Sequence, residues 1–330
     1  MTGPTVDVVV PSYRRPASLA RCLRALRAQT VEPERVLVVL RRGDETSWLV
    51  ARDEAWERVR LIEVEEPGMV AALTAGVAAS GAEAVAFTDD DAAPRPDWLG
   101  RLTALLALPD VGAAGGRDLL PGRPAATADV GRRTRFGKLV GNHHVGTGPA
   151  RDVDVLKGVN MAVRAECLAL PRAGVLRGDG APGSGEILVC AHVSRLGRRI
   201  VYDPSIEVEH EPAERPDGGS RVRPSRERVR ESAHNFVVAT AALDRKLLPR
   251  QALYGLLLGD RGAPGIGRGL AALARGEREV LNRVGPALAG SLLGAVRTAS
   301  GELRSPVVTC AELRLRPSAV RTAGVREAVR

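Results

Sequence analysis

Residues 84–98 read AVAFTDDDAAPRPDW. Ala84 to Thr88 is a short apolar run with a β-branched residue, as expected of a strand buried on both faces. It runs directly into Asp89, Asp90 and Asp91. Three adjacent carboxylates repel one another, and a divalent cation at the end of the strand relieves that repulsion. Mg2+ or Mn2+ takes one or two protein carboxylates and completes its shell with phosphate oxygens and water. The structural alternative is an Asp-rich turn capping the next helix. The position after a buried strand, with Pro94, Pro96 and Trp98 following, favours the metal and a diphosphate.

Upstream, the pattern repeats. Val6–Val10 (VDVVV), Val36–Leu40 (VLVVL) and Leu61–Val64 are further apolar, β-branched runs. Between the first two, Pro16 can start a helix, and Leu19, Cys22, Leu23 and Leu26 follow at helical spacing. Val70–Ala79 and Trp98–Leu108 read as helices. Strands alternating with helices imply a mostly parallel α/β sheet, whose ligands sit at the carboxyl ends of the strands. From Gly112 to Gly158 the sequence predicts loops and short strands, with one strand over Val153–Leu156. Further on it predicts a helix over Glu186–Leu196 and short strands over Arg199–Tyr202 and Ile206–Val208. Glu211–Arg226 reads as a mobile Pro/Gly/charge-rich stretch. Helices follow over Val229–Leu247, Gln251–Gly259, Ile266–Arg275 and Val280–Leu303.

The chain has 330 residues, 44% hydrophobic and 26% charged, which suits a globular protein of about two domains. Aromatic residues are only 3%, which disfavours a base-stacking nucleic-acid platform. Four dispersed cysteines form no CxxC pair, against a zinc site or a disulfide framework. The first residues show no basic segment followed by a long apolar run, so no signal peptide is expected. The uncharged stretch of the tail, Val284–Val296, is 13 residues and holds Pro286, too short to span a membrane. The expected location is therefore the cytoplasm.

Net charge is +9, and residues 221–330 carry 20 Lys and Arg against 9 Asp and Glu. Such a tail suits an anionic membrane surface, an acidic acceptor or nucleic acid. Its segments ALYGLLLG and PALAGSLLGAV are apolar, rich in small residues and flanked by arginines. Helices lying on an anionic bilayer have this composition, placing the chain at the inner face of the plasma membrane. A helical extension packed on the rest of the chain, or on a second subunit, has it too.

VDVVVPSYRRPASLARCLRAL (6–26) and PGMVAALTAGVAASGAEAVAFTDDDAAPRPDWL (67–99), followed by VGRRTRFGKLVGNHHVGTGPARDVDVLKGVNMAVR (130–164) and YDPSIEVEH (202–210), resemble family 2 glycosyltransferases of the GT-A fold, in an actinobacterial branch. The resemblance covers about residues 5–235. It implies a Rossmann-like catalytic domain over 1–235 and a basic helical extension over 236–330. The implied activity is transfer of a sugar, with inversion, from a nucleotide-diphospho-sugar to an acceptor hydroxyl. A UDP-sugar is the default donor, and a lipid-linked or small glycoside acceptor is compatible.

The resemblance also implies roles. Pro11, Ser12, Tyr13 and Arg15 match the loop that holds base and ribose. Asp44 stands where the family places an acid against the base. Asp89 and Asp91 match the ends of the DXD motif, with Asp91 the first choice for metal, Asp89 for ribose, water or metal, and Asp90 between them beside the donor. Gly158, Asn160 and Met161 match a GxNM segment lining the sugar pocket. Glu186 matches the catalytic base, with Asp179 as runner-up, and His210 matches a late histidine reaching the metal or diphosphate. The chain departs from many relatives in having Gly185-Glu186-Ile187 in place of Glu-Asp. Two other readings therefore stand beside the enzyme: a catalytically weak nucleotide-sugar binder, and a polyanion-binding protein that uses the tail.

Overall fold

The computed structural model describes residues 3–136, 138–178, 183–212, 224–260 and 262–315, together with the backbone of 321–324. Asp179 and most of 211–226 lie outside the described residues.

The chain begins with the expected alternation: β1 (Val6–Ser12), α1 (Pro16–Arg27), β2 (Arg35–Arg41), α2 (Glu45–Asp53), β3 (Val59–Val64), α3 (Met69–Ala79) and β4 (Ala84–Phe87). Then come β5 (Ala92–Pro94), α4 (Trp98–Leu106), β6 (Val111–Leu119), the short β7 (Arg132–Arg133), β8 (Leu139–Val140) and β9 (Arg151–Asp152), β10 (Met161–Arg164) and β11 (Ala169–Pro171). The rest is α5 (Gly185–Arg195), β12 (Arg199–His210), α6 (Arg226–Leu243), α7 (Leu248–Leu257), α8 (Ile266–Arg275), α9 (Arg278–Ala299), β13 (Val307–Thr309), α10 (Cys310–Leu315) and β14 (Arg321–Gly324).

The main sheet runs β14-β3-β2-β1-β4-β10-β6-β12-β5, with β9 added on β12. Strands β3, β2, β1 and β4 are mutually parallel, and so are β6 and β12. β10 is antiparallel between β4 and β6. The strands are apolar almost throughout because both faces are covered. Alternate residues divide between two cores. Val9, Leu37 and Val39 face the side of α3, α5 and α6, whereas Val8, Val10, Val36 and Val38 face the side of α1 and α4.

Three sequence expectations need correction. Residues 112–119 are not loop but part of β6, a central strand. Its VGAAGG segment lacks β-branched residues beyond Val111. Close packing demands the small ones: a Cβ on Gly115 would stand 2.4 Å from the Asn160 carbonyl oxygen, and one on Gly116 2.0 Å from that of Ile206. Val153–Leu156 is not a strand. Its backbone serves other partners: Asp154 and Val155 N–H donate to Gly131, and Leu156 N–H to Cys190 Sγ. The two short strands at 199–208 are one strand, β12, whose register breaks between Asp203 and Glu207. Such a bulge re-aims the strand beyond it, here the segment that ends in His210.

The tail packs on the face of the sheet that carries α5. α6 runs through residue 235 without a break and lies against α5 and α9. Gly290 and Gly294 of α9 face backbone carbonyls of Arg230 and His234, where any Cβ would collide. The small residues of PALAGSLLGAV therefore serve a helix crossing. β13 pairs with β11. Among the described residues, no helix is long and apolar enough to cross a membrane.

Candidate active site

Topology brings five segments to one edge of the sheet. β1 and β4 are parallel, so the loops after Ser12 and Phe87 leave side by side. β10 is antiparallel to β4 and starts opposite Phe87, so residues 157–160 enter at the same edge. β6 ends there with Asp118 and Leu119, and β12 ends there with His210.

The three aspartates do different work. Asp89, Asp91 and His210 each offer a ligand atom, and these atoms lie within 4.8 Å of one another. Two carboxylates and an imidazole suit Mn2+ or Mg2+ with water and phosphate completing the shell. Asp90 turns the other way. Its carboxylate accepts from Ser12 Oγ at 2.8 Å and pairs with Arg15 at 3.0 Å, tying the β1 loop to the acidic turn. Arg15 also reaches Asp91 Oδ2 at 3.4 Å. The Asp91 carbonyl accepts from Arg21 and from Glu211 N–H, which fixes the end of β12 beside it.

Burial and the neighbouring Asp91 push the Asp89 carboxyl up to about 6. Burial also raises Asp90, although Arg15 and Ser12 oppose it. His210 moves the opposite way to its burial. Burial would lower its pKa, but hydrogen bonding to Asp118 and Asp91 pushes it up to about 9. The cluster thus draws positive charge to itself.

Asp118 is the residue that sequence reading missed. It is fully buried, and Oδ2 lies 3.3 Å from His210 Nδ1 and bonds Lys157 Nζ. An imidazole held at Nδ1 by a carboxylate presents Nε2 outward; Nε2 here lies 3.4 Å from Asp91 Oδ1. A lone Asp after a Gly-rich run carries no local signal of this role.

A cavity of about 270 Å3 opens beside the cluster. Its walls include Pro11, Asp89, Lys157, Gly158, Met161 and Glu186. Glu186 sits in the first turn of α5, half-buried, behind Ser184 in a left-handed conformation (φ 78°). Burial raises its pKa above the ordinary carboxylate range. The loop before it is clamped to α6 by Asn235, which bonds both backbone groups of Arg177 at 2.8 Å.

Other expected residues stand elsewhere. Asn160 does not line the cavity. Its amide is spent inside, accepting from Trp98 Nε1 at 2.9 Å and donating to the carbonyls of Arg117 and Ile206. Asp44 is also withdrawn. It accepts from Arg14 N–H at 2.5 Å and caps α2 through Ser47 N–H, leaving it 2% exposed. It shapes the β1 loop from behind. The Tyr13 ring meets the guanidiniums of Arg14 and Arg41, 5.1 and 5.3 Å from the ring centre.

Comparison with known proteins gives concordant results. Residues 7–146 match the model of the family described as Glycosyl transferase family 2. Glycosyltransferase AglE of Haloferax volcanii is 32% identical over 120 residues, 35% of this chain and 40% of that protein. This chain therefore spans less than half of that relative. Among solved structures, a mannosyltransferase from Pyrobaculum calidifontis in complex with GDP-Man and Mn2+ aligns with a TM-score of 0.52 at 18% identity, over 91% of this chain and 88% of that one. Residues 1–349 of S. aureus TarS, in complex with UDP-GlcNAc, align with a TM-score of 0.56 at 15% identity, over 87% and 81%. At these identities the likeness establishes the shared GT-A fold.

Proposed function

We propose that the chain is a family 2 glycosyltransferase, as the match of residues 7–146 to that family's model supports, and that it transfers a sugar from a nucleotide-diphospho-sugar to an acceptor hydroxyl, with a divalent cation at Asp89, Asp91 and His210 and with Glu186 as the general base. The observation that carries this reading is the single cavity shared by Asp89 and Glu186. One wall offers the cation-binding end of the acidic turn, and the other offers a carboxylate of raised proton affinity.

A cation bound there supplies charge neutralisation to the departing diphosphate. The protein does the rest. Ser12 and Arg15 hold Asp90, and so set the acidic turn against the β1 loop. Pro11 and Tyr13 of that loop receive the base and ribose, and Gly158 and Met161 form the wall beside the sugar. The acceptor oxygen attacks the anomeric carbon and its proton passes to Glu186. The bond from that carbon to the phosphate oxygen breaks, and its electron pair leaves with the diphosphate. Direct displacement inverts the centre and leaves no covalent enzyme intermediate. A UDP-sugar is the first donor to test and a GDP-sugar the second.

The test is release of free nucleoside diphosphate from UDP- and GDP-sugars with Mn2+, with and without simple glycoside acceptors. Glu186→Gln should retain donor binding while turnover falls by about 10^2-fold or more. Equal turnover in wild type and Glu186→Gln would contradict the base assignment.

We further propose that α7–α9 rest on an anionic membrane surface. Leu253, Leu257, Leu270, Leu273, Leu292 and Val296 are all more than 45% exposed. The exposed Arg250, Arg268 and Arg278 accompany them. In α8 the small Gly269 and Ala272 face inward, so much of its apolar face is left uncovered. Docking this face on a second copy would bring like charges together, whereas anionic lipid complements both its apolar area and its charge.

A further inference from the structure

Lys157 is the only cation among the described residues that line the cavity, and it stands there with Asp89 and Glu186. The chain has 48 basic residues, of which only Lys138, Lys157 and Lys246 are lysines. Arg15 and Arg117 come near the site but are committed elsewhere, Arg15 to Asp90 and Asp91 and Arg117 to Glu207. The Lys157 ammonium bonds Asp118, its single hydrogen-bond partner among the described residues. An ammonium carries three donors, so two remain for a ligand. The side chain is 36% exposed, whereas Asp118 is wholly buried. The charge is therefore anchored at its root and open toward the cavity. It is close enough to favour the ionised forms of both Asp89 and Glu186.

We propose that Lys157 is a catalytic residue whose ammonium, anchored by Asp118, receives the β-phosphate of the nucleotide donor and stabilises the charge it gains as the sugar leaves. The proposal rests on the donor-site reading given above. In the transfer, the electron pair of the broken sugar–oxygen bond stays on the β-phosphate, which gains one negative charge. The acceptor proton goes to Glu186, so this charge is not cancelled at the phosphate. A donor already aimed at that oxygen stabilises the product side more than the intact donor. Lysine suits the task better than arginine, because a compact ammonium on a flexible stem can follow a charge that shifts between oxygens.

The experiment is calorimetric titration of wild type, Lys157→Met, Lys157→Gln and Lys157→Arg with Mn2+ alone, then with UDP, UMP, GDP and GMP in the presence of Mn2+. Lys157→Met should bind the matching nucleoside diphosphate roughly ten- to hundredfold more weakly. Monophosphate and Mn2+ affinity should change little. Lys157→Arg should recover most of the loss. In turnover assays kcat should fall more than KM rises. Lys157→Gln keeps a hydrogen bond to Asp118, so it reports the loss of charge even if Lys157→Met proves unstable. Overturning results are equal diphosphate affinity in the folded neutral variants, or a loss that is the same for mono- and diphosphate. If wild type binds no nucleotide at all, the donor-site reading fails, and this proposal fails with it. That outcome is distinct from a wild type that binds while Lys157 proves indifferent.

Discussion

His210 Nε2 lies 3.4 Å from Asp91 Oδ1, so the last residue of β12 meets the last aspartate of the acidic turn. Ala92, the next residue after Asp91, is the register partner of His210 in the β5–β12 pair. The contact is therefore set by strand pairing and does not depend on a loop. It also explains why three consecutive aspartates do not act alike. Asp89 and Asp91 project toward His210, and Asp90 braces Ser12 and Arg15.

The raised proton affinity of Glu186 gives a pH prediction. A base works only when ionised, and burial raises its pKa above the ordinary ~4.3 of glutamate. As pH falls, kcat should therefore decline at a higher pH than an exposed glutamate would give, and recover as pH rises. The profile should be recorded at saturating Mn2+ and donor. A kcat that stays flat down to pH 4.5 would contradict the assignment.

Asn160 should prove structural. Asn160→Ala strands the Trp98 indole N–H and the carbonyls of Arg117 and Ile206 inside the fold. A loss of about 1–3 kcal/mol in urea unfolding is expected. Below the unfolding transition, nucleotide affinity should stay near that of wild type. A selective loss of affinity with unchanged stability would instead put Asn160 in the sugar pocket.

The α7–α9 face gives a prediction independent of catalysis. The protein should co-sediment with vesicles containing phosphatidylglycerol but far less with phosphatidylcholine alone, and salt should weaken the binding. Leu270→Ser with Leu273→Ser should weaken it further without changing nucleotide affinity. Concentration-dependent dimerisation abolished by the same pair would mean that a second copy covers this face.

Much of the fold was legible because it rests on local pattern. The runs at Val6, Val36 and Ala84 are apolar without alternation, which only a sheet covered on both faces requires. β6 was not legible, because its Gly and Ala answer to the packing of Asn160 and Ile206, far away in the chain. α2 was missed because its cap, Asp44, reads equally well as a turn residue. At the site, Asp89, Asp91, Glu186 and His210 were singled out through the resemblance, and the structure places three of them in one cluster and the fourth on the adjoining cavity. Asp118 and Lys157 carry no motif. Their importance comes from the parallel pairing of β6 with β12, which sets Asp118 behind His210.

The central claim is that the acidic turn binds a cation and, through it, a nucleoside diphosphate. Calorimetry with UDP and GDP, with and without Mn2+, on wild type and Asp91→Ala tests it most directly. The account predicts that one of the two binds wild type in a Mn2+-dependent way, and that Asp91→Ala abolishes this binding while the protein stays folded. Nucleotide binding that is indifferent both to Mn2+ and to Asp91→Ala would contradict it.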